Sequence, residues 1–409
     1  MKDLSKDELK VINTIFLSRI STRISIAEAI GVSLLKTASL LSGLEKKKYI
    51  RKEGKLQSRT GRPSYIYVLV VERFYTIGIS VDVDCYRVIV LDSGKHIVMD
   101  RQFSMAVPSD PVEYIRYFES EISTTVIAVR DEFREQEKEI VAVCAALVGM
   151  VDSAKGIWLL GLQIGGVKNV NIAEMLEERT GIPFFIADYS RSLAFLERRL
   201  GSGMELEDFI LLYMGKGVGA GLVINGEVYT GYHGIAGEIG HIPQGNNNYR
   251  CSCGNIGCLE AIVSSSGIKR VMVDRLREGV VSSLSKYVEG KENNLDLEII
   301  KQAAEEGDRF ATATLYELGT FIGDACTTLI KLFNPQKIII SGYSSILKEF
   351  FIDAIEQKIR HSVILEMLVD YETVFADYEL HNEAYGAGLL ALHRYLLDRM
   401  QTNIKRKKY

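Results

Sequence analysis

Residues 237–261 of this 409-residue chain, GEIGHIPQGNNNYRCSCGNIGCLEA, restrict its folding more than any other stretch, because they space one histidine and three cysteines as H-x9-C-x-C-x4-C. One imidazole (His241) and three thiolates (Cys251, Cys253, Cys258) complete a tetrahedral zinc and leave no position open for a substrate water, so the pattern predicts a structural Zn2+. Gly254 and Gly257 lie inside the Cys253 to Cys258 loop. Tight turns there must bring sulfurs within about 4 Å of each other, given Zn–S bonds of about 2.3 Å. The competing readings are buried free thiols, a Cys251–Cys253 disulfide, or thiolates that oxidise as a redox switch. Cys85, Cys144 and Cys326 lie in apolar stretches and read as buried thiols.

The net charge of −4 hides a polarity. Residues 1–63 hold nine Lys and five Arg against two Asp and four Glu, a net of +8 that leaves −12 for the rest. A basic arm for a polyanion on an acidic body fits this division, as does a solvated charged surface. Within the arm, residues 5–18 put Leu9, Ile12, Ile15 and Phe16 on one face at helical spacing, with Ser5 and Glu8 as a capping-box pair. A second helix fits 25–30, Gly31 supplies a turn, and a third helix fits 33–47. YIRKEG and YIYVLV then read as two strands around the loop KLQSRTGRP. This pattern resembles the winged helix-turn-helix arm of bacterial repressors, whose partner is operator double-stranded DNA. On that resemblance the third helix enters the major groove, with Ser33, Leu34, Lys36 and Thr37 near base edges. Lys46, Lys47, Lys48, Arg51, Arg59 and Arg62 become candidates for phosphate or minor-groove contacts. The lysine run also suits a helix C-terminus stabilised by cations.

The N-terminus lacks the apolar core of a signal peptide, and no run approaches the roughly 20 apolar residues of a membrane span. A soluble cytoplasmic protein without membrane insertion is the expectation.

G-E-x-G-H followed by C-x-C-G-x2-G-C-x-E is similar to the signature of the ROK family, which groups sugar-responsive repressors with sugar kinases. The resemblance runs from about Tyr75 to the end of the chain, and the winged arm matches the family's repressor branch, including xylose-type and glucose-type repressors. It implies an α/β, actin-like (ribonuclease H-like) fold of two lobes with a sugar cleft between them. The positions matching Glu238, His241 and Glu260 hydrogen-bond sugar hydroxyls in that family, and the position matching Asp188 is the kinases' general base. Carboxylates accept from vicinal hydroxyls, and one nitrogen of His241 can ligate zinc while the other faces the sugar. Two departures bear on the effector: Ala187 stands where the family usually has Asn, which removes one hydrogen-bond partner and alters affinity or the preferred sugar, and Tyr232 and His233 stand where small or amide residues are common, which points to an effector that is unusual, larger, or a derivative with an aromatic-stacking face.

The alternative is an ATP-dependent sugar kinase. Kinases of this family carry D-x-G-G-T in the first hairpin, where glycines admit phosphate and the Asp helps position magnesium. Here Ser80 replaces the Asp, Asp82 and Val83 the glycine pair, and Asp84 the Thr. Side chains fill the space and two carboxylates oppose a polyanion. The second loop, GKGVGAG, has Lys216 in place of Thr, and lysine is compatible with phosphate. The third keeps only Ser341-Gly342 of a glycine pair. The balance favours a regulator without enzymatic activity, with Asp188 a vestigial base position.

The expected organisation is an arm at 1–70, a first lobe at 71–200, a second lobe at 201–400 carrying the metal knot and completed by the C-terminal helix, and a disordered basic tail at 401–409. Dimers are the common state for proteins reading palindromic operators, so a homodimer or dimer of dimers is expected. Some members resembling this chain are also held by a membrane transporter component, which makes such a component a further candidate partner.

Overall fold

Ser5 and Glu8 close the capping box their spacing predicts: the Ser5 hydroxyl accepts the Glu8 N–H, and the Glu8 carboxylate accepts the Ser5 N–H. Helix α1 (Lys6–Leu17) follows, with Leu9, Ile12, Ile15 and Phe16 all buried. Helix α2 (Arg23–Ile30) starts earlier than the pattern suggested, because Ser25 is the third residue of a second capping box with Thr22. Gly31 takes the left-handed conformation, and Ser33 caps α3 (Leu34–Lys46). Strands β1 (Ile50–Leu56) and β2 (Ser64–Leu69) pair antiparallel as a wing. The computed structural model describes residues 4–57, 63–108, 110–161, 166–245, 247–287 and 294–405. Arg59, Arg62 and residues 406–409 of the basic tail lie outside these described residues.

The body opens with β3 (Tyr75–Val81), β4 (Cys85–Asp92), β5 (Ile97–Ser104), α4 (Pro111–Glu135) and β6 (Ile140–Leu147). A small antiparallel sheet of β7 (Met150–Asp152), β8 (Ile157–Gly161) and β9 (Val167–Val170) comes next, followed by α5 (Ile172–Thr180), β10 (Phe184–Asp188) and α6 (Tyr189–Leu200). The main sheet has the order β10-β6-β3-β4-β5, parallel on one side of β3 and antiparallel on the other.

The logic then repeats. Strands β11 (Phe209–Met214), β12 (Val218–Ile224) and β13 (Glu227–Tyr229) precede α7 (Glu260–Val263), α8 (Ser265–Arg277), α9 (Leu297–Glu305) and α10 (Arg309–Phe333). Strand β14 (Lys337–Ser341), α11 (Lys348–Ser362), β15 (Glu372–Phe375) and α12 (Asn382–Lys405) complete the chain. The second sheet, β13-β12-β11-β14-β15, has the same arrangement of antiparallel and parallel partners. Two such halves facing one another make the expected actin-like α/β fold, and ligands of such folds sit between the carboxyl ends of the strands.

Two expectations are corrected. Residues 401–405 of the expected disordered tail continue helix α12. Helix α12 does not complete the second lobe but packs on β3, β4, β6 and α6 of the first and against α1 of the arm. Glycines permit this: a Cβ on Gly78 would lie 2.0 Å from the Ala384 carbonyl, and one on Gly386 2.0 Å from the Ser192 carbonyl. Thr76 ties the contact by donating to the Gly388 carbonyl at 2.9 Å. The arm, the first sheet and α12 therefore share one apolar core, while a second core lies largely under β11, β12 and β14.

Candidate functional site

A 3-10 turn at Ile239–His241 and the loop ahead of α7 bring the four predicted ligands together, with one donor atom from each residue all within 4.8 Å of one another. His241 Nδ1 lies 3.6 Å from Cys251 Sγ, and Cys253 and Cys258 Sγ lie 3.7 Å apart. Bonds of about 2.3 Å to one tetrahedral ion set sulfurs about 3.8 Å apart, whereas a disulfide would hold them at about 2 Å. Isolated bridges Pro243–Cys258 and Arg250–Ile256 cross the loop, and Asn247 donates to the Cys258 carbonyl at 2.9 Å. Gly254 and Gly257 both have positive φ, as the tight turns required. Donor set and spacing fit a four-coordinate metal. Of the remaining thiols Cys144 and Cys326 are buried as expected, but Cys85 is only half-buried.

Beside the knot lies a cavity lined from both lobes, and all four expected pocket residues (Asp188, Glu238, His241, Glu260) face it. Asp188 ends β10 and caps α6 by accepting the Arg191 N–H at 3.0 Å. Glu238 follows Gly237, whose φ is +98° and where a Cβ would meet the Ala220 carbonyl at 1.9 Å, so only glycine allows this approach. Burial, then the neighbouring Asp188 carboxylate, raise the Glu238 carboxyl to about 7. His241 turns Nδ1 to the cysteines and Nε2 to Glu238 Oε2, 3.8 Å away. Glu260 is buried, and its carboxylate accepts the Val218 N–H at 3.1 Å and the Ser252 hydroxyl at 3.2 Å.

A residue that sequence reasoning missed organises this cavity. Arg191, buried on the first turn of α6, contacts Asp188 Oδ2 at 2.6 Å and donates to the Ala236 carbonyl at 2.9 Å. It thereby joins the first lobe to the loop that presents Glu238. The available signal was an arginine three residues after a helix-capping aspartate, one turn before Ala194 and Phe195.

Across the cleft Lys216, in the β11–β12 turn, lies 2.8 Å from Asp82 and 3.7 Å from Asp84, both in the β3–β4 turn. The lysine that the sequence left compatible with phosphate is thus engaged by the carboxylates that replace the other lobe's glycine loop. The neighbouring cavity, about 450 Å³, is lined by Tyr189, Tyr213, Tyr343 and Tyr378 and by Glu383. Burial raises the Glu383 carboxyl to about 7, and the Tyr378 hydroxyl donates to it at 2.9 Å.

The ROK family model matches residues 76–394. The chain belongs to the ROK family. It is 27% identical over 368 residues to the Escherichia coli (strain K12) DNA-binding transcriptional dual regulator NagC, covering 90% of this chain and 87% of that one. A crystal structure of a ROK family transcriptional regulator, a homologue of the E. coli Mlc protein, superposes with a TM-score of 0.81 at 25% identity, covering 97% of this chain and 98% of the other. The Thermotoga maritima glucokinase is 31% identical over 229 residues, covering 55% of this chain and 71% of that one. The ROK relatives therefore include both regulators and kinases.

Two departures from the ROK pattern fall outside the cavity. Tyr232 is 95% exposed and packs edge-on against His233, and neither side chain lines the pocket, which removes the expected stacking face. Ala187 lines a separate small cavity behind β10, with Cys144 and Arg394.

In the N-terminal arm, Ser33, Leu34 and Lys36 are exposed at the start of α3, but Thr37 is not. It is fully buried and donates to the Ser33 carbonyl at 3.0 Å, so it supports the helix from inside and is withdrawn as a base-reading residue. Lys36 Nζ lies 2.5 Å from Asp7 Oδ2, and Lys47 Nζ lies 2.9 Å from Glu8 Oε1.

Proposed function

We propose that this protein is a transcriptional repressor whose operator affinity is set by a sugar, or sugar derivative, bound between the lobes. Asp188, Glu238 and Glu260 would accept hydrogen bonds from its hydroxyls, and His241 would present Nε2 to it. His241, Cys251, Cys253 and Cys258 would hold one structural zinc. When bound, zinc supplies four-coordinate cross-linking, so the loop bearing the sugar-facing histidine keeps one shape. A homodimer or dimer of dimers in the cytoplasm is the assembly this reading implies, with a transporter component as a further candidate partner.

The observation that carries the reading is the route from cavity to arm. Helix α6 begins at Asp188 and ends beside Arg199, whose guanidinium donates to the Leu17 carbonyl at the end of α1, 3.2 Å away. Phe195 of α6 stacks on His393 of α12, whose Nδ1 lies 3.0 Å from Asn13 Oδ1 of α1. Burial lowers the His393 imidazole to about 3, so it stays neutral in this joint. One 12-residue helix, a rod of about 18 Å, thus touches both the pocket and the arm. A sugar that binds one lobe spacing more tightly than another would tilt α6 and shift the arm's populations in proportion to that difference.

A kinase reading is disfavoured by the Lys216–Asp82 pair across the phosphate region and by Arg191 on the Asp188 carboxylate. The test is paired. Fluorescence anisotropy on its own upstream DNA should show tight binding that weakens steeply with salt and changes with one member of a panel including glucose, xylose and N-acetylglucosamine. A coupled ADP-release assay on the same panel should show no turnover. Robust phosphorylation, or DNA binding indifferent to every sugar, would overturn the proposal.

A further inference from the structure

The outward face of α3 is poor in the side chains that usually read bases. Helix α3, LLKTASLLSGLEK, contains no Arg, Asn or Gln, so the bidentate pairings with guanine and adenine that these residues make are unavailable to it. The Ser33 hydroxyl is used in capping, Lys36 is held by Asp7, and Thr37 is buried. What faces outward at helical spacing is Leu35, then Ser39, Ser42 and Lys46. Leu35 is 84% exposed and Leu34 47%, and Ile24 of α2, 49% exposed, lines one surface groove with Leu34. An apolar patch of this kind at the tip of a chain segment carrying +8 needs an occupant that is polyanionic and yet presents methyl groups. The major groove of DNA is such a surface: phosphates flank it, and thymine alone among the bases projects a C5 methyl into it.

Resting on the DNA-binding reading above, we propose that Leu35, supported by Leu34, recognises thymine in the operator through its C5 methyl, and that this contact is the main base-specific reading made by α3. The serines can bond to any base edge and discriminate little. Membrane docking is the competing use of the same leucines, since α2 and α3 together are long and apolar enough for a broken span. Their axes, however, are bent by 109° and carry buried Ile26, Leu41 and Leu44 into the arm's own core, so the exposed leucines are the patch and not a span.

The experiment uses the full-length protein and duplexes selected by it from a random pool. Each thymine in the protected major-groove segment is replaced by deoxyuridine, which removes the methyl alone. Burying one methyl against leucine corresponds to about fourfold in Kd. At least one deoxyuridine per half-site should weaken wild-type binding by about that factor. Leu35→Ala should lose a similar factor on thymine and be indifferent to deoxyuridine at that position. Leu35 is exposed, so the variant should fold normally, and the DNA-side substitution needs no variant at all. Binding unchanged by every deoxyuridine, or an alanine variant as sensitive as wild type, would overturn the inference while leaving the repressor reading intact. Sensitivity to 7-deazaguanine with none to deoxyuridine would assign the reading to Lys36 and also overturn it. No enrichment from the pool, with Leu35-dependent binding to anionic phospholipid vesicles instead, would overturn both.

Discussion

Replacing Arg191 with alanine tests whether the cavity is assembled across the lobes as described. The Arg191 and Asp188 side chains are 5% and 15% exposed and lie 2.6 Å apart. Removing one member of a buried ion pair costs about 3–5 kcal/mol, because the remaining charge loses its partner. Asp188 keeps the Ser190 hydroxyl and the Arg191 N–H, which places the loss near the lower end, about 3 kcal/mol. The Ala236 carbonyl is also left without its donor, which adds about 1 kcal/mol. For a cooperative unit of 150–250 residues this is a fall in Tm of roughly 8–16 °C, read by differential scanning calorimetry. Adding Asp188→Asn to Arg191→Ala should restore at least half of it, since the uncompensated carboxylate is gone. Titration calorimetry with the active sugar should show affinity falling about tenfold, or about 1.4 kcal/mol, as the Glu238 loop loses its tether. A Tm for Arg191→Ala within about 2 °C of wild type, less than 1 kcal/mol on the same scale, would refute the argument. So would a double variant no more stable than the single.

Other outcomes follow from the same geometry. Chelation, or Cys253→Ser, should abolish sugar binding while DNA binding by the distant arm persists; unchanged sugar affinity would make the knot a remote staple. Glu238→Ala should remove the sugar response and leave DNA affinity intact, and normal induction would reject its pocket role. Burial raises the Glu383 carboxyl from its usual 4.5 to about 7 in the folded protein, so its contribution is fully present below pH 4.5 and is lost as pH rises through 7. By pH 8 this removes about 3 kcal/mol, so Glu383→Gln should flatten the fall in Tm between pH 5 and 8, and a slope equal to wild type would contradict the assignment. Arg199→Met should keep both sugar and DNA binding but weaken their coupling; full coupling would exclude the Arg199–Leu17 contact as the link and leave only the Phe195–His393 contact of α6.

Much of this protein was legible in its sequence because the decisive signals are local. Ser5 with Glu8, Gly31 and Ser33 specify helix ends through bonds to backbone three or four residues away, and those helices form. The H-x9-C-x-C-x4-C spacing fixes donor chemistry within one loop, and the motif around it carried the family and the pocket residues Glu238, His241 and Glu260. Local pattern could not say which way Thr37, Tyr232 or Lys36 points, because that depends on what packs behind the helix or loop. The short strands β8 and β9 carry no local signal for a related reason: their pairing partners, not their few residues, make them strands. Only the tertiary structure decided that α12 belongs to the first lobe, that Lys216 faces Asp82, and that Arg191 ties Asp188 to the Glu238 loop. Each of these is a contact between segments far apart in the chain, or a buried charge whose partner is set by the packing of two lobes. Sequence spacing determines what a residue can bind; the fold determines which partner it meets.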